Sequence, residues 1–197
     1  MEGVIMEETD KVKKILREHK VARASDLAAL NVSRLQLSRL ATSGEIISLG
    51  AGYYAHSSQD PFIASIIAVS RQFPEGVISK ASALVIHSLS DERIDQIDID
   101  IARGTSIRNR LVHAHRTTDT FRVGVERLDF HGEKIRIYNI ERSLSEAYKM
   151  GPDSEIFLKA IKRYSARVDP QYDKIAEYDS LLSTNVLRAV RQELADG

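Results

Sequence analysis

The stretch 25–55, SDLAALNVSRLQLSRLATSGEIISLGAGYYA, constrains the fold of this chain more tightly than any other. Residues 26–30 read as a short helix with Leu27, Ala28 and Leu30 as its apolar side. Asn31 should end it, because Asn tolerates the left-handed backbone that a helix stop requires. Ser33 then caps a second helix, its hydroxyl accepting a bond from a free backbone N–H of the first turn. That helix runs to Ser43 and stops at Gly44. Leu37, Leu40 and Ala41 stand at i, i+3 and i+4 and form one buried stripe. Arg34, Ser38 and Arg39 fall off the stripe, and Gln36 lies at its edge. Residues 46–49 and 53–55 then make two short strands around the turn Gly50-Ala51-Gly52. Helix, tight turn, helix and small hairpin together predict a winged helix-turn-helix. Such a fold lays its second helix in the DNA major groove and needs polar and basic side chains on the outer face.

The charge of the whole chain is zero, unlike the basic balance usual in nucleic-acid binders. Its distribution is uneven. Residues 11–56 hold Lys11, Lys13, Lys14, Arg17, Lys20, Arg23, Arg34 and Arg39 against Glu18, Asp26 and Glu45, a local charge of +5. Phosphate contacts are local, so the patch matters more than the total. At 197 residues the chain has room for one large domain or two small ones. It has no Cys, which excludes disulfides and thiolate metal sites. No run approaches transmembrane length, and the acidic start MEGVIMEETDK is unlike a signal peptide, so a cytoplasmic location without membrane contact is expected.

Around that stretch, Thr9 or Asp10 is expected to cap a first helix running to about His19, with Val12, Ile15 and Leu16 inward and Lys11, Lys14 and Arg17 on the surface. Residues 21–24 should pair with the hairpin, closing a first domain at 1–56. A linker at 57–61 leads into a second domain, 57–197. Asp60 and Pro61 form the N-cap and first position of an almost wholly apolar helix ending at Gln72. A turn at 74–76, a strand at 77–78 and a helix at 80–89 follow. Ile97, Ile99 and Ile101 alternate with Asp98 and Asp100, the pattern of a half-buried strand with both acids in solvent. Residues 111–115 read as a second strand, and Phe121, Val123 and Val125 mark a third. A bulge near Glu126 or Arg127 is expected where Leu128 and Phe130 switch phase. A turn at 131–133 and a strand with Ile135 and Ile137 complete a small, mostly antiparallel sheet. Asn139 caps the helix 140–150, with Gly151 as its stop. Three further helices are expected, the last presenting Leu187, Val190 and Leu194 on one face. The fold class is therefore α+β, a winged helix followed by an α+β domain with several helices.

Asp98 and Asp100 lie on one side of a strand, a geometry that holds Mg²⁺ in nucleotidyltransferases and nucleases. Neither the upstream Gly-Ser turn of the former nor the acid-x-Lys spacing of the latter is present, so no catalytic residue is assigned. His113 and His115 also share a strand face, but no third metal ligand is evident from spacing. His87 reads as a helix-surface or hydrogen-bonded histidine. Glu141 and Arg142 are expected to form a polar network tying their helix to the sheet. No cofactor or metal is assigned.

The segment NVSRLQLSRLATSGEIISLGAGYYA resembles the N-terminal winged helix of AbiEi-type antitoxins, the transcriptional regulators of viral defence systems. The matched positions are Val32, Ser33, Arg34, Leu37, Arg39, Leu40, Gly44, Ile46, Gly52 and Tyr54. Ser48 and Ala51 stand where the family usually carries an Arg. The resemblance continues through Ile78, Ser79, Ser82, Ala83, Leu84, His87 and Leu89, and through Asn139, Glu141, Arg142, Ser143 and Leu144, with Glu146 where an Asp is common. It implies the antitoxin of a type IV toxin–antitoxin pair, an autorepressor that binds its own promoter and counteracts a nucleotidyltransferase-like toxin. DNA contact is then expected from Ser33, Arg34, Gln36, Ser38 and Arg39, by two copies on an inverted repeat of double-stranded DNA. Tyr54 is expected in the core beneath the recognition helix, with Tyr53 freer. Two other readings of the residues stay open: a stand-alone winged-helix regulator with a ligand-sensing or dimerisation domain, and an enzyme using Asp98 and Asp100.

Overall fold

A computed structural model describes the backbone of residues 2–117 and 122–196, and the side chains of 9–117 and 122–195. The expected strand position Phe121 lies outside the described residues. Helices and two separate sheets make the chain a mixed α+β protein. It divides into two compact units, Met1–Pro74 with Ile107–Val112, and Glu75–Ser106 with His113–Gly197. The helix after the Asp60–Pro61 cap belongs to the first unit, whereas the sequence groups it with the second domain.

In the first unit, α1 (Glu2–His19) starts well before the expected cap at Thr9 or Asp10. The intervening Met and Glu residues are good helix formers, and no Pro interrupts them. β1 (Val21–Arg23), α2 (Ala24–Leu27) and a 3-10 turn at Ala28–Leu30 follow. Asn31 closes that turn at φ 60°, the left-handed stop expected of it. α3 (Arg34–Thr42) leads into β2 (Ile46–Ser48) and β3 (Tyr53–His56). The three strands form an antiparallel sheet in the order β1-β3-β2. Val21 pairs with Ala55, and Ser48 with Tyr54. Gly50, Ala51 and Gly52 all have positive φ, so the β2–β3 reversal needs two glycines. Asn109 fastens this turn: its side-chain amide donates to the Leu49 carbonyl at 3.3 Å and to Gln72 Oε1 at 2.9 Å.

Val12, Leu16, Ala22, Leu27, Val32, Leu37, Leu40 and Ile46 form the core of this unit. Tyr54 packs against it only partly buried, while Tyr53 is 8% exposed, the reverse of their expected order. Tyr53 lies within cation–π distance of Arg23, 5.7 Å from guanidinium to ring centre, and pairs with it across β1 and β3. α4 (Pro61–Gln72) begins as expected, with Asp60 accepting from the Phe62 and Ile63 amides. Arg71 ties it to β1 through a 2.6 Å bond to the Val21 carbonyl.

In the second unit, β4 (Val77–Ile78), β5 (Ile97–Ala102), β6 (Val112–Thr117), β7 (Val125–Phe130) and β8 (Glu133–Tyr138) build a five-stranded sheet, with α5 (Lys80–Ile86) between β4 and β5 in the chain. Its order is β6-β5-β4-β8-β7. β4 runs parallel to β8, Ile78 opposite Ile137, so the sheet is mixed. A strand as short as β4 gives no sequence cue to its partner. β7 pairs with β8 without interruption from Val125–Tyr138 to Phe130–Glu133, so the expected bulge is not there. Val123 precedes the strand, Gly124 turns into it at φ 78°, and the phase change between Val125 and Leu128 falls inside the regularly paired β7. A Cβ on Gly124 would lie 2.9 Å from both the Arg142 Cβ and the Tyr178 hydroxyl.

α6 (Ile140–Met150), α7 (Glu155–Ser165), α8 (Tyr172–Leu182) and α9 (Val186–Asp196) complete the unit. Leu84, Leu144, Phe157, Ile161, Tyr164, Ile175 and Val190 are central to their shared core. Leu194, expected inward, is half exposed; Val186 and Val190 are the residues α9 buries.

Candidate functional sites

The outer face of α3 is built by its own start. Ser33 Oγ accepts the Gln36 amide at 3.2 Å, and Gln36 Oε1 accepts the Ser33 amide at 2.7 Å. This reciprocal capping box satisfies two free donors and sets the helix register. It also engages the Gln36 carbonyl oxygen, which an adenine-reading Gln would need as acceptor. Leu37 and Leu40 point into the core, leaving Arg34, Ser38 and Arg39 in solvent. Leu35 stands exposed beside them at 62%. A shallow cleft joins Arg34 to Arg23, Ser25 and the Ala51–Gly52 turn. Arg23, already counted in the local positive charge, therefore lines the same cleft as Arg34. Lys13 is engaged elsewhere, in ion pairs with Asp10 at 3.3 Å and Glu45 at 3.0 Å.

The second cluster lies on one face of β5 and its neighbours. Asp98 and Asp100 are both buried, at 7% and 1% exposure, rather than on a solvent face. The alternation misleads because both faces of this sheet region are covered. Asp100 accepts from Ser79 Oγ at 2.7 Å and from the Tyr138 hydroxyl at 2.8 Å. Burial pushes its carboxyl above the usual carboxylate range despite these two donors. The Tyr138 phenol is pushed up too, by burial and by the Asp100 charge beside it. Two residues away and on the same face, Asp98 meets β6. The His115 imidazole donates from Nε2 to Asp98 Oδ1 at 2.8 Å, and His113 Nδ1 lies 3.1 Å from the same oxygen. Asp98 is thus the third group that spacing did not supply for the histidine pair.

α6 carries the third cluster. Glu141 and Arg142 do not form one network, as neighbours on a helix point in different directions. Glu141 accepts from the Tyr164 hydroxyl at 3.0 Å, while Arg142 pairs with Glu146 at 2.7 Å and stacks over the Tyr138 ring at 4.6 Å. Lys80 approaches Glu146 at 3.7 Å. Arg142 Nε and Nη1 are buried without a hydrogen-bond partner among the described residues. His87 is fixed by a 2.7 Å bond from Nε2 to the Tyr138 carbonyl, and burial pushes its imidazole below the usual range. It is a positioning contact between α5 and the end of β8.

Among the described residues no helix is long and apolar enough to cross a membrane. No protein-family model matches the chain, and no characterised protein is significantly similar to it in sequence.

Proposed function

We propose that the chain is a cytoplasmic, DNA-binding autorepressor whose first unit is a winged helix, and that it serves as the antitoxin of a type IV pair opposite a nucleotidyltransferase-like toxin. The observation that carries the DNA reading is the outer face of α3, where a side-chain-capped helix holds Arg34, Ser38 and Arg39 in solvent beside the β2–β3 turn. Arg can bond guanine O6 and N7 together, and a helix start suits a phosphate. In this reading Arg34, Arg39 and Ser38 address the groove. Ser33 and Gln36 hold the helix start, and the Gln36 Nε2–H groups remain to donate to a base. Arg23 adds charge beside the turn that lacks the family's Arg. Two copies on an inverted repeat about one helical turn apart would supply the affinity that one small unit lacks.

The test is a salt titration of binding to the DNA upstream of the gene. Arg34→Ala and Arg39→Ala should each weaken specific binding by about 1–3 kcal/mol where they reach bases. A residue touching only phosphate should instead weaken all sequences alike and lower the salt slope by about one. Unchanged binding by the double variant would overturn the recognition surface. The antitoxin role is separable: the same double variant, co-expressed with a neighbouring nucleotidyltransferase-like toxin, should still rescue growth. Failure of the wild-type chain to rescue would remove the antitoxin reading and leave the DNA reading standing. A stand-alone regulator with a ligand-sensing second unit is the alternative, and the Asp98–His113–His115 cluster is what favours it.

A further inference from the structure

We infer that Asp98, His113 and His115 form a binding site for a divalent transition-metal ion of the Zn²⁺ class. The inference is independent of the DNA-binding reading, since the two residue sets share no member. β6 is an edge strand, and residues two apart on it project to the same face, so His113 and His115 stand side by side. β5 is its hydrogen-bonded neighbour and presents Asp98 to that same face. One ligand atom from each of Asp98, His113 and His115 lies within 4.8 Å of the other two.

Two features separate this cluster from ordinary hydrogen bonding. A carboxylate offers two oxygens and about four lone-pair sites. Both imidazoles nevertheless converge on the one oxygen, at 2.8 and 3.1 Å. That is how ligands gather around a point. Bonds of about 2.0–2.1 Å to His and carboxylate in a tetrahedral site put neighbouring donor atoms roughly 3.3–3.4 Å apart. The two Asp98–histidine separations need to open by only a few tenths of an ångström, and the two imidazole nitrogens already lie within 4.8 Å of each other. The donor set is also specific: two imidazoles and one carboxylate suit Zn²⁺ and its first-row neighbours, while Mg²⁺ and Ca²⁺ prefer oxygen alone.

The surroundings match a site with one open position. The Asp98 side chain is 10% exposed and that of His115 21%, whereas His113 is 61% exposed. The metal would sit on a buried carboxylate with its remaining coordination facing solvent on the His113 side, where water or an added ligand completes it. The Asp98 backbone amide donates to Ser82 Oγ at 2.9 Å, holding β5 in place beneath the carboxylate. To ligate, His113 Nδ1 and His115 Nε2 must present lone pairs, so each ring carries its proton on the other nitrogen. Neutral imidazoles achieve this by tautomer exchange without net proton release. The bound ion would clip the edge strand β6 to β5, so metal would stabilise the fold by mass action.

The experiment uses the full chain freed of metal by chelator and titrated with Zn²⁺ by calorimetry. Co²⁺ serves as a visible-absorbing probe of the same site. One saturable Zn²⁺ per chain is expected, with a rise in melting temperature. His113→Gln and His115→Gln should each weaken binding by at least about tenfold, as ligand losses exceed the effect of outer contacts. Their combination should abolish the Co²⁺ absorption. His131→Gln, in the β7–β8 turn, should bind like the wild type. Asp98→Asn should also lose the metal; if that variant fails to fold, the two histidine variants decide, because His113 is largely exposed. Absence of saturable Zn²⁺ binding would overturn the assignment. So would binding that persists undiminished in the double histidine variant.

Discussion

Helices α3 and α6 start alike and end in opposite surroundings. Ser33 caps one by accepting from the amide three residues on, and Asn139 caps the other in the same way. Both carry charged side chains in mid-helix. α3 leaves Arg34 and Arg39 in water, while α6 buries Glu141, Arg142 and Glu146 to 6% exposure or less. A charged residue on an amphipathic helix therefore says where the helix is, not which side of it is wet. The number of elements packed around it settles that. α3 belongs to the smaller unit, and among the described residues Arg34, Ser38 and Arg39 on its outer face are exposed. α6 is enclosed by α5, α7, α8 and α9 with the end of the sheet beside it.

The energetic consequences differ in kind. Charges on α3 are solvated and free to meet a partner at little cost to the fold. Those on α6 are committed to one another, since a buried ion that loses its partner costs far more than the pair contributes.

The strongest way to break the comparison is Glu146→Ala. It removes the carboxylate at 2.7 Å from Arg142, whose Nε and Nη1 already lack partners among the described residues. A loss of about 3–5 kcal/mol is expected from chemical denaturation, the range for stranding a buried charge. A loss below about 1 kcal/mol would mean that Arg142 finds water, and that α6 is no more committed than α3.

Tyr164→Phe sharpens the same point more gently. The phenol donates to Glu141 at 3.0 Å and accepts the Gln171 amide at 2.7 Å, so its removal leaves two groups short. About 1–3 kcal/mol should be lost. The measurement is an equilibrium urea curve at neutral pH, with the slope unchanged.

Ser33→Ala should cost about 1 kcal/mol, because the Gln36 backbone amide loses its acceptor and is left to water, while the bond from the Ser33 backbone amide to the Gln36 side chain is kept. Thermal melting of the variant beside the wild type checks this. Arg34→Ala, on the solvated face, should change stability by less than about 0.5 kcal/mol, even if it weakens the DNA binding proposed for this face. A markedly less stable Arg34→Ala protein would show that this side chain has a structural task and would weaken the contrast.

What the sequence determined by itself was local. Asn31 at its left-handed stop, the Ser33 and Asn139 caps, the Asp60–Pro61 helix start and the Gly50-Ala51-Gly52 reversal each depend on residues within a few positions. So do the inward faces of α3 and α7, because a helical period fixes which residues share a side. The pairing of residues 21–23 with the hairpin was also legible, as the chain there is too short to go elsewhere. Tertiary structure alone decided what lies above each face. Period-two alternation placed Asp98 and Asp100 on a common side of β5, but burial of both sides turned a solvent face into a polar interior. The order of Tyr53 and Tyr54, the partners of Glu141 and Arg142, and the parallel β4–β8 pair depend on residues brought together from far along the chain. The convergence of His113 and His115 on Asp98 is the sharpest case. The histidine pair is visible as a two-residue spacing, and its third member stands fifteen or more positions away, joined only by the register of two neighbouring strands. Spacing encodes what one element shows, whereas register and packing select which elements meet.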